Sequence, residues 1–192
     1  MKYSKYAYGR EITYSVDKLT EQNHHYTENF DCGNDEINSY LQNKALSDDS
    51  GVTYLIIDNR DLVVIGYCTM CCSGITHKYQ NNIRTIPAIE IRYFALDCRM
   101  QGLQFDETEE HYYFSDFIMS GFMYQCSDIA MNVIAAKYIV LYSVKDAVKF
   151  YTRLGFEDFT EFFEPDDYRY IDGCKPMYIE IPLEFPQTVI EK

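Results

Sequence analysis

KYIVLYSVKDAVKFYTRLGF, residues Lys137 to Phe156, decides the fold. Tyr138, Ile139, Val140, Leu141 and Tyr142 form a nearly unbroken β-branched and aromatic run, the pattern of a strand covered on both faces. A helix is predicted to follow at once. Ser143 and Asp146, three apart, read as a capping box whose hydroxyl and carboxylate satisfy the N–H groups left over at a helix start, with the Asp charge matched to the positive end of the dipole. Val144, Ala147, Val148, Tyr151 and Leu154 then fall at helical spacing on one face, which turns Tyr151 toward the interior. Gly155 ends the helix, because a glycine tolerates the left-handed conformation that closes one.

Outward from this unit, strands dominate. IPAIEIRYFALD, Ile86 to Asp97, alternates Glu90, Arg92, Phe94 and Leu96 on one face with Ile89, Ile91, Tyr93 and Ala95 on the other. Val52–Ile57 and Leu62–Cys72 are apolar runs joined by Asp58-Asn59-Arg60-Asp61 and predict a hairpin. Ser73–Thr85 is polar and reads as a loop. Near the start, Ile12, Tyr14 and Val16 alternate with Glu11, Thr13 and Ser15, a half-buried edge strand. Asn34 or Asp35 caps a helix that carries Ile37, Tyr40, Leu41 and Ala45 on one stripe. A second helix is expected from Tyr113–Ser115 to about Ala130, and Met177–Ile181 is a last strand before a tail with Pro182 and Pro186.

Two of these stretches carry a family resemblance. The strand followed by DAVKFYTRLGFEDF is similar to the closing strand, helix and strand of the GNAT superfamily of acyl-CoA-dependent N-acetyltransferases, with its A-x-x-F-Y-x-x-x-G-F pattern. The residues Phe30, Asp31, Cys32, Gly33, Asn38, Leu41 and Ala45 resemble the F-x-C-G opening of a branch that includes toxin acetyltransferases acting on aminoacyl-tRNA. The resemblance spans roughly residues 30 to 160. It implies one α/β domain over residues 1–192, with a mixed, largely antiparallel central sheet, a splayed strand pair and flanking helices.

The resemblance also implies site residues. Tyr151 takes the place of the general acid toward the thiolate leaving coenzyme A. Phe94, Ala95 and Leu96 take the place of the splayed strand whose main chain holds pantetheine, one amide stabilising the oxyanion. Glu90 stands where some members keep a base; a solvated or Arg92-paired charge is the alternative. The family's Q/R-x-x-G-x-G/A loop, which binds pyrophosphate through its amides and the following helix start, survives only as Arg99, Gln101 and Gly102. An insertion with Asp106, Glu107, Glu109 and Glu110 follows, before Ser115 at the next helix. Either that loop, with Arg99 and Ser115, still receives acetyl-CoA, or the chain is a non-catalytic binding module on the same fold.

Composition limits the partners. At 192 residues and 47% hydrophobic, the chain fills one core. Its 30 Asp+Glu against 17 Lys+Arg give a formal charge of −13, which disfavours nucleic acid and suits an amine-bearing small molecule or protein. A tRNA acceptor stays open through the basic strip Lys145, Lys149 and Arg153, spaced by four on one helix face. A homodimer is compatible with everything above. The first residues lack the apolar run of a signal peptide and no segment reaches the length of a membrane span, so a cytoplasmic location is expected. Seven scattered cysteines and four histidines show no metal spacing, so no metal is expected. No Ser or Cys–His nucleophile pattern is recognisable, which fits direct acyl transfer in a ternary complex. The acidic, aromatic segment Glu157–Asp167 is read as a solvated face or a lining for a cationic acceptor.

Overall fold

The computed structural model describes residues 2–7, 10–79, 82–104, 112–160 and 173–181. Eight strands follow the order β1-β2-β3-β4-β5-β6-β8-β7 in one sheet: β1 (Lys2–Ala7), β2 (Arg10–Lys18), β3 (Val52–Asp58), β4 (Val63–Tyr79), β5 (Asn82–Leu96), β6 (Tyr138–Ser143), β7 (Glu157–Asp158) and β8 (Lys175–Glu180). The helices are α1 (Asp35–Asn43), α2 (Phe114–Asn132) and α3 (Val148–Arg153). The pairs β1–β2, β2–β3, β3–β4, β6–β8 and β7–β8 are antiparallel, and β5–β6 is parallel. The mixed, largely antiparallel α/β architecture is therefore present.

The chain clusters into two compact units, each discontinuous in sequence. The first is Met1–Cys71 with Ile91–Met119. Its core joins Leu41 and Ala45 from the α1 stripe to Leu55 and Ile57 of β3, Val64 and Tyr67 of β4, and Ala95 of β5. Phe30 packs edge-on against Tyr67 at 5.4 Å. Asn34 caps α1: its Oδ1 accepts the N–H groups of Glu36 and Ile37, both at 3.1 Å, two of the donors that a helix start leaves unpaired. The strand β2 alternates as expected, with Ile12 and Tyr14 buried. It is not an edge, however, because β1 pairs with it from Lys2–Ser15 to Ala7–Arg10.

The second unit is Cys72–Glu90 with Ser120–Lys192. Here β6 sits between β5 and β8, and Ile139, Val140 and Leu141 are buried as a strand covered on both faces must be. Three sequence expectations need correction in this unit. Residues 73–79 and 82–85 are strand, not loop: β4 runs on to Tyr79 and β5 begins at Asn82, with Thr76 Oγ1 and Thr85 Oγ1 3.3 Å apart across the pair. Ser143 is not a helix cap; it is the buried last residue of β6, and its hydroxyl donates to the Val144 carbonyl at 2.9 Å. The helix instead enters through a 3-10 turn, Lys145–Ala147, which leaves Val144 44% exposed rather than on the inward stripe. Gly155 does close α3, with φ at +92° and the Phe156 N–H reaching back to the Tyr151 carbonyl at 3.0 Å.

Candidate active site

The loop leaving β5 is built by Asp97. This side chain is 2% exposed, and burial alone disfavours its charge. Hydrogen bonds reverse that and hold its pKa below the usual carboxylate value. Arg99 grips it twice, Nε to Oδ1 at 2.7 Å and Nη2 to Oδ2 at 2.9 Å, a bidentate pair of the stronger kind. The Arg99 N–H also donates to Oδ1, at 3.0 Å, and the Asp31 N–H reaches Oδ2 at 3.3 Å.

That last contact ties the loop to the Phe30–Gly33 turn, and three more reinforce it. The Cys98 N–H donates to the Asp31 carbonyl at 2.8 Å. Gln101 Nε2 donates to the carbonyls of Cys32 at 2.9 Å and Leu96 at 2.8 Å. Asp31 Oδ1 in turn accepts from the Gly33 N–H and from Asn38 Nδ2, each at 2.8 Å, which lowers its pKa. Gly33 has φ at +81°, a conformation that disfavours a side chain. The F-D-C-G sequence is thus the anchor of the post-β5 loop. Its partner Asp97 was missed by the sequence reading; an acid two residues before Arg99 was the available signal.

Gln101, Gly102 and Leu103 follow, with Gly102 at φ +70°. Their three main-chain N–H groups donate to no partner among the described residues. Successive unpaired amides around a left-handed residue form a concavity suited to an anion. The start of α2 offers less. The Phe114 N–H already donates to Leu103, the Asp116 N–H to Tyr113, and the buried Asp116 carboxylate accepts the Tyr113 N–H at 2.9 Å, so of these first-turn amides only that of Ser115 remains. The insertion carboxylates Asp106, Glu107, Glu109 and Glu110 lie outside the described residues.

Phe94, Ala95 and Leu96 end β5 in this same unit, with Ala95 and Leu96 buried. The ladder from β5 to β6 runs only from Ala88–Tyr138 to Glu90–Val140. Beyond Glu90, β5 passes into the first unit, while β6 continues to Ser143 along β8. A cleft of about 410 Å³ in the first unit is lined by Asp35, Glu36, Ser39, Tyr40, Lys44 and Tyr93. Its floor is the stacked pair Tyr40–Tyr93, ring centroids 4.0 Å apart, with Tyr40 Oη donating to Asp48 at 2.7 Å.

In the second unit, Glu90 is half-buried at the last β5–β6 pair. Tyr151 is 7% exposed on α3, edge-on to Phe150 at 4.8 Å and to Phe156 at 5.7 Å. Lys145, Lys149 and Arg153 are exposed, and the Arg153 guanidinium lies 5.7 Å from the Phe150 ring centre.

No protein-family model and no curated protein matches the sequence. Solved structures do. A Tyr-to-Phe mutant of the AtaT toxin bound to acetyl-CoA and the C-terminus of the antitoxin AtaR superposes with TM-score 0.65 at 17% identity, over 88% of this chain and 93% of that one. A Tyr-to-Phe mutant of KacT gives 0.66 at 13%, over 88% and 95%. The chain has the GNAT fold. AtaT complexed with acetyl-methionyl-tRNAfMet shares that GNAT fold with the chain at TM-score 0.65 and 17% identity, over 87% and 94%. The GNAT fold thus extends well beyond residues 30–160, the span of the sequence resemblance.

Proposed function

We propose that the protein is an acetyl-CoA-dependent N-acetyltransferase acting on a primary amine. The observation that carries this reading is the run Gln101–Leu103, whose three consecutive main-chain N–H groups have no partner among the described residues, close to Arg99, whose guanidinium grips Asp97 yet stays 56% exposed, a donor set that fits a diphosphate. When bound, acetyl-CoA supplies an activated acyl thioester. Arg99, Gln101 and Gly102 hold its diphosphate, with Ser115 at the next helix start, and the main chain of Phe94, Ala95 and Leu96 holds pantetheine. The acceptor attacks as a neutral amine, so Glu90 removes its proton directly or through water, and Tyr151 delivers a proton to the departing sulfur. The formal charge of −13 favours an acceptor that arrives as a cation.

A finer reading has one specific support. AtaT is a toxin seen with acetyl-methionyl-tRNAfMet, so the α-amino group of an aminoacyl-tRNA is the second candidate acceptor. The exposed cations Lys149 and Arg153 on α3, with Lys145 in the 3-10 turn before it rather than on the helix face, are where such a chain would meet phosphate.

Tyr151→Phe tests the chemistry. Proton delivery of this kind contributes roughly 100-fold or more to a rate, so turnover of acetyl-CoA with an amine acceptor should fall by at least that factor while acetyl-CoA affinity stays unchanged. Full turnover in a folded Tyr151→Phe protein removes the general-acid role.

A further inference from the structure

The post-β5 loop and the Phe30–Gly33 turn each carry a thiol, and their placement has a chemistry of its own. Cys98 is exposed and Cys32 half-buried, and both are free. The 2.8 Å hydrogen bond from the Cys98 N–H to the Asp31 carbonyl fixes their backbones. Across a planar trans peptide a carbonyl oxygen lies about 2.8 Å from the next Cα, so standard bond geometry keeps the Cα atoms of Cys32 and Cys98 within about 6.5 Å. Disulfides bridge Cα separations of roughly 4.4 to 6.8 Å. The side chain of Cys98 lies over the same turn: its Sγ is 3.4 Å from where a Cβ on Gly33, the neighbour of Cys32, would stand, while the Cys32 thiol faces the Asn34 carbonyl at 3.8 Å. From the other side, Gln101 Nε2 holds the Cys32 carbonyl at 2.9 Å.

We propose that Cys32 and Cys98 are an oxidation site, at which hydrogen peroxide or an organic hydroperoxide converts the two thiols into a disulfide stapling the post-β5 loop to the Phe30–Gly33 turn. The exposed Cys98 thiolate attacks a peroxide oxygen and the O–O bond breaks, leaving a sulfenic acid and, after protonation, one water or alcohol. Cys32 sulfur then attacks Cys98 sulfur, the S–O bond breaks, and the released hydroxide takes the Cys32 proton as water. The thiols lose two electrons and two protons, and the peroxide is reduced. Burial raises the pKa of Cys32, which suits it to the second step rather than to first attack.

The other cysteines are placed differently. Cys68 and Cys126 are buried, burial pushing the Cys126 thiol up to about 12, and Cys174 is half-buried in the second unit. Cys71 Sγ accepts from Arg92 Nη2 at 3.1 Å. Cys72 is exposed and serves as an internal control. Both segments joined by the new bond are already hydrogen-bonded, so the staple closes a loop of roughly 66 residues in the unfolded chain while the Cys32 thiol turns from the Asn34 carbonyl to Cys98.

The test treats the reduced full-length protein with hydrogen peroxide, blocks remaining thiols with N-ethylmaleimide, and maps peptides from material that elutes like the reduced protein. The expected result is a Cys32–Cys98 peptide that a phosphine reductant splits, with a raised melting temperature in the oxidised form. Neither change should occur in Cys32→Ser or Cys98→Ser, and if a serine variant does not fold, the wild-type map decides alone. Sulfinic Cys98 without the linked peptide overturns the proposal. So do linkage of Cys98 to Cys72 instead, thiols that stay reduced where Cys72 is oxidised, or a mapped disulfide that melts no higher than the dithiol.

Discussion

Asp97 and Asp48 are the two acids that single residues build structure around. Asp97 gathers Arg99, Asp31 and the post-β5 loop into one cluster. Asp48 gathers Tyr40, Ser50 and Arg92: it accepts from Ser50 Oγ at 2.6 Å and from Tyr40 Oη at 2.7 Å, and pairs with Arg92 Nη1 at 3.2 Å. These hydrogen bonds, that from Ser50 foremost, lower the Asp48 carboxyl to about 2. The native state therefore holds this proton less tightly than the unfolded chain, whose carboxyl titrates near 4. Stability from this acid is complete above that value and is lost as pH falls from about 4 toward 2. In Asp48→Asn, acid unfolding between pH 4 and 2 should become shallower, with about 1 kcal/mol lost at neutral pH after allowance for screening; denaturant melts across that range measure both. None of this was legible in the sequence, because the partners of Asp48 lie on three different elements, Ser50 two residues on in a turn, Tyr40 eight residues back on α1 and Arg92 44 residues on in β5.

At the scale of elements, legibility followed burial. The run Tyr138–Tyr142, the Asn34-capped α1 and the Phe114–Asn132 helix have one or two buried faces, and their periodicity is written in the residues. The outer hairpin is only partly covered: Ile75 packs against Ala88, Val140 and Phe159, but Cys72, Thr76, Ile83, Arg84 and Thr85 are exposed, so its residues show little alternation and 73–85 resemble a loop. Ser143 misled for a related reason, since a hydroxyl at a strand end and one at a helix start look alike until the chain's direction is known. One glycine has a role that only packing reveals. A Cβ on Gly66 of β4 would stand 2.5 Å from Leu96 Cδ2, 2.8 Å from Ile56 Cδ1 and 3.0 Å from the Ala95 carbonyl. Gly66→Ala should therefore displace the end of β5 and cost about 1–3 kcal/mol, as overpacking does. If Ala95 and Leu96 hold pantetheine, acetyl-CoA affinity falls with it; calorimetry on the folded variant checks that link.

For the whole molecule, charge separates the two acceptor readings. A small amine neutralises no phosphates, and its KM should vary little with salt. An acceptor held through several phosphates loses affinity steeply, log K falling by about 0.9 per contact for each decade of salt on a duplex. Acetyl transfer measured at 50 and 200 mM salt with each acceptor distinguishes them, and a flat salt response with aminoacyl-tRNA would remove the Lys145–Arg153 strip as its contact. The GNAT fold itself came from the last strand-helix-strand, which the sequence displays. The anion-binding geometry of Gln101–Leu103 was only partly visible, because amides carry no letter in a sequence and Gly102 alone marks their turn.

The proposed activity requires that this loop receive the cofactor in spite of its altered motif. Calorimetric titration of the purified protein with acetyl-CoA tests it most directly. Dissociation in the micromolar range, about 8 kcal/mol of binding free energy, is predicted, weakened at least tenfold in Arg99→Ala. Well-folded protein that takes up no acetyl-CoA would contradict the account and leave a GNAT fold serving as a binding module.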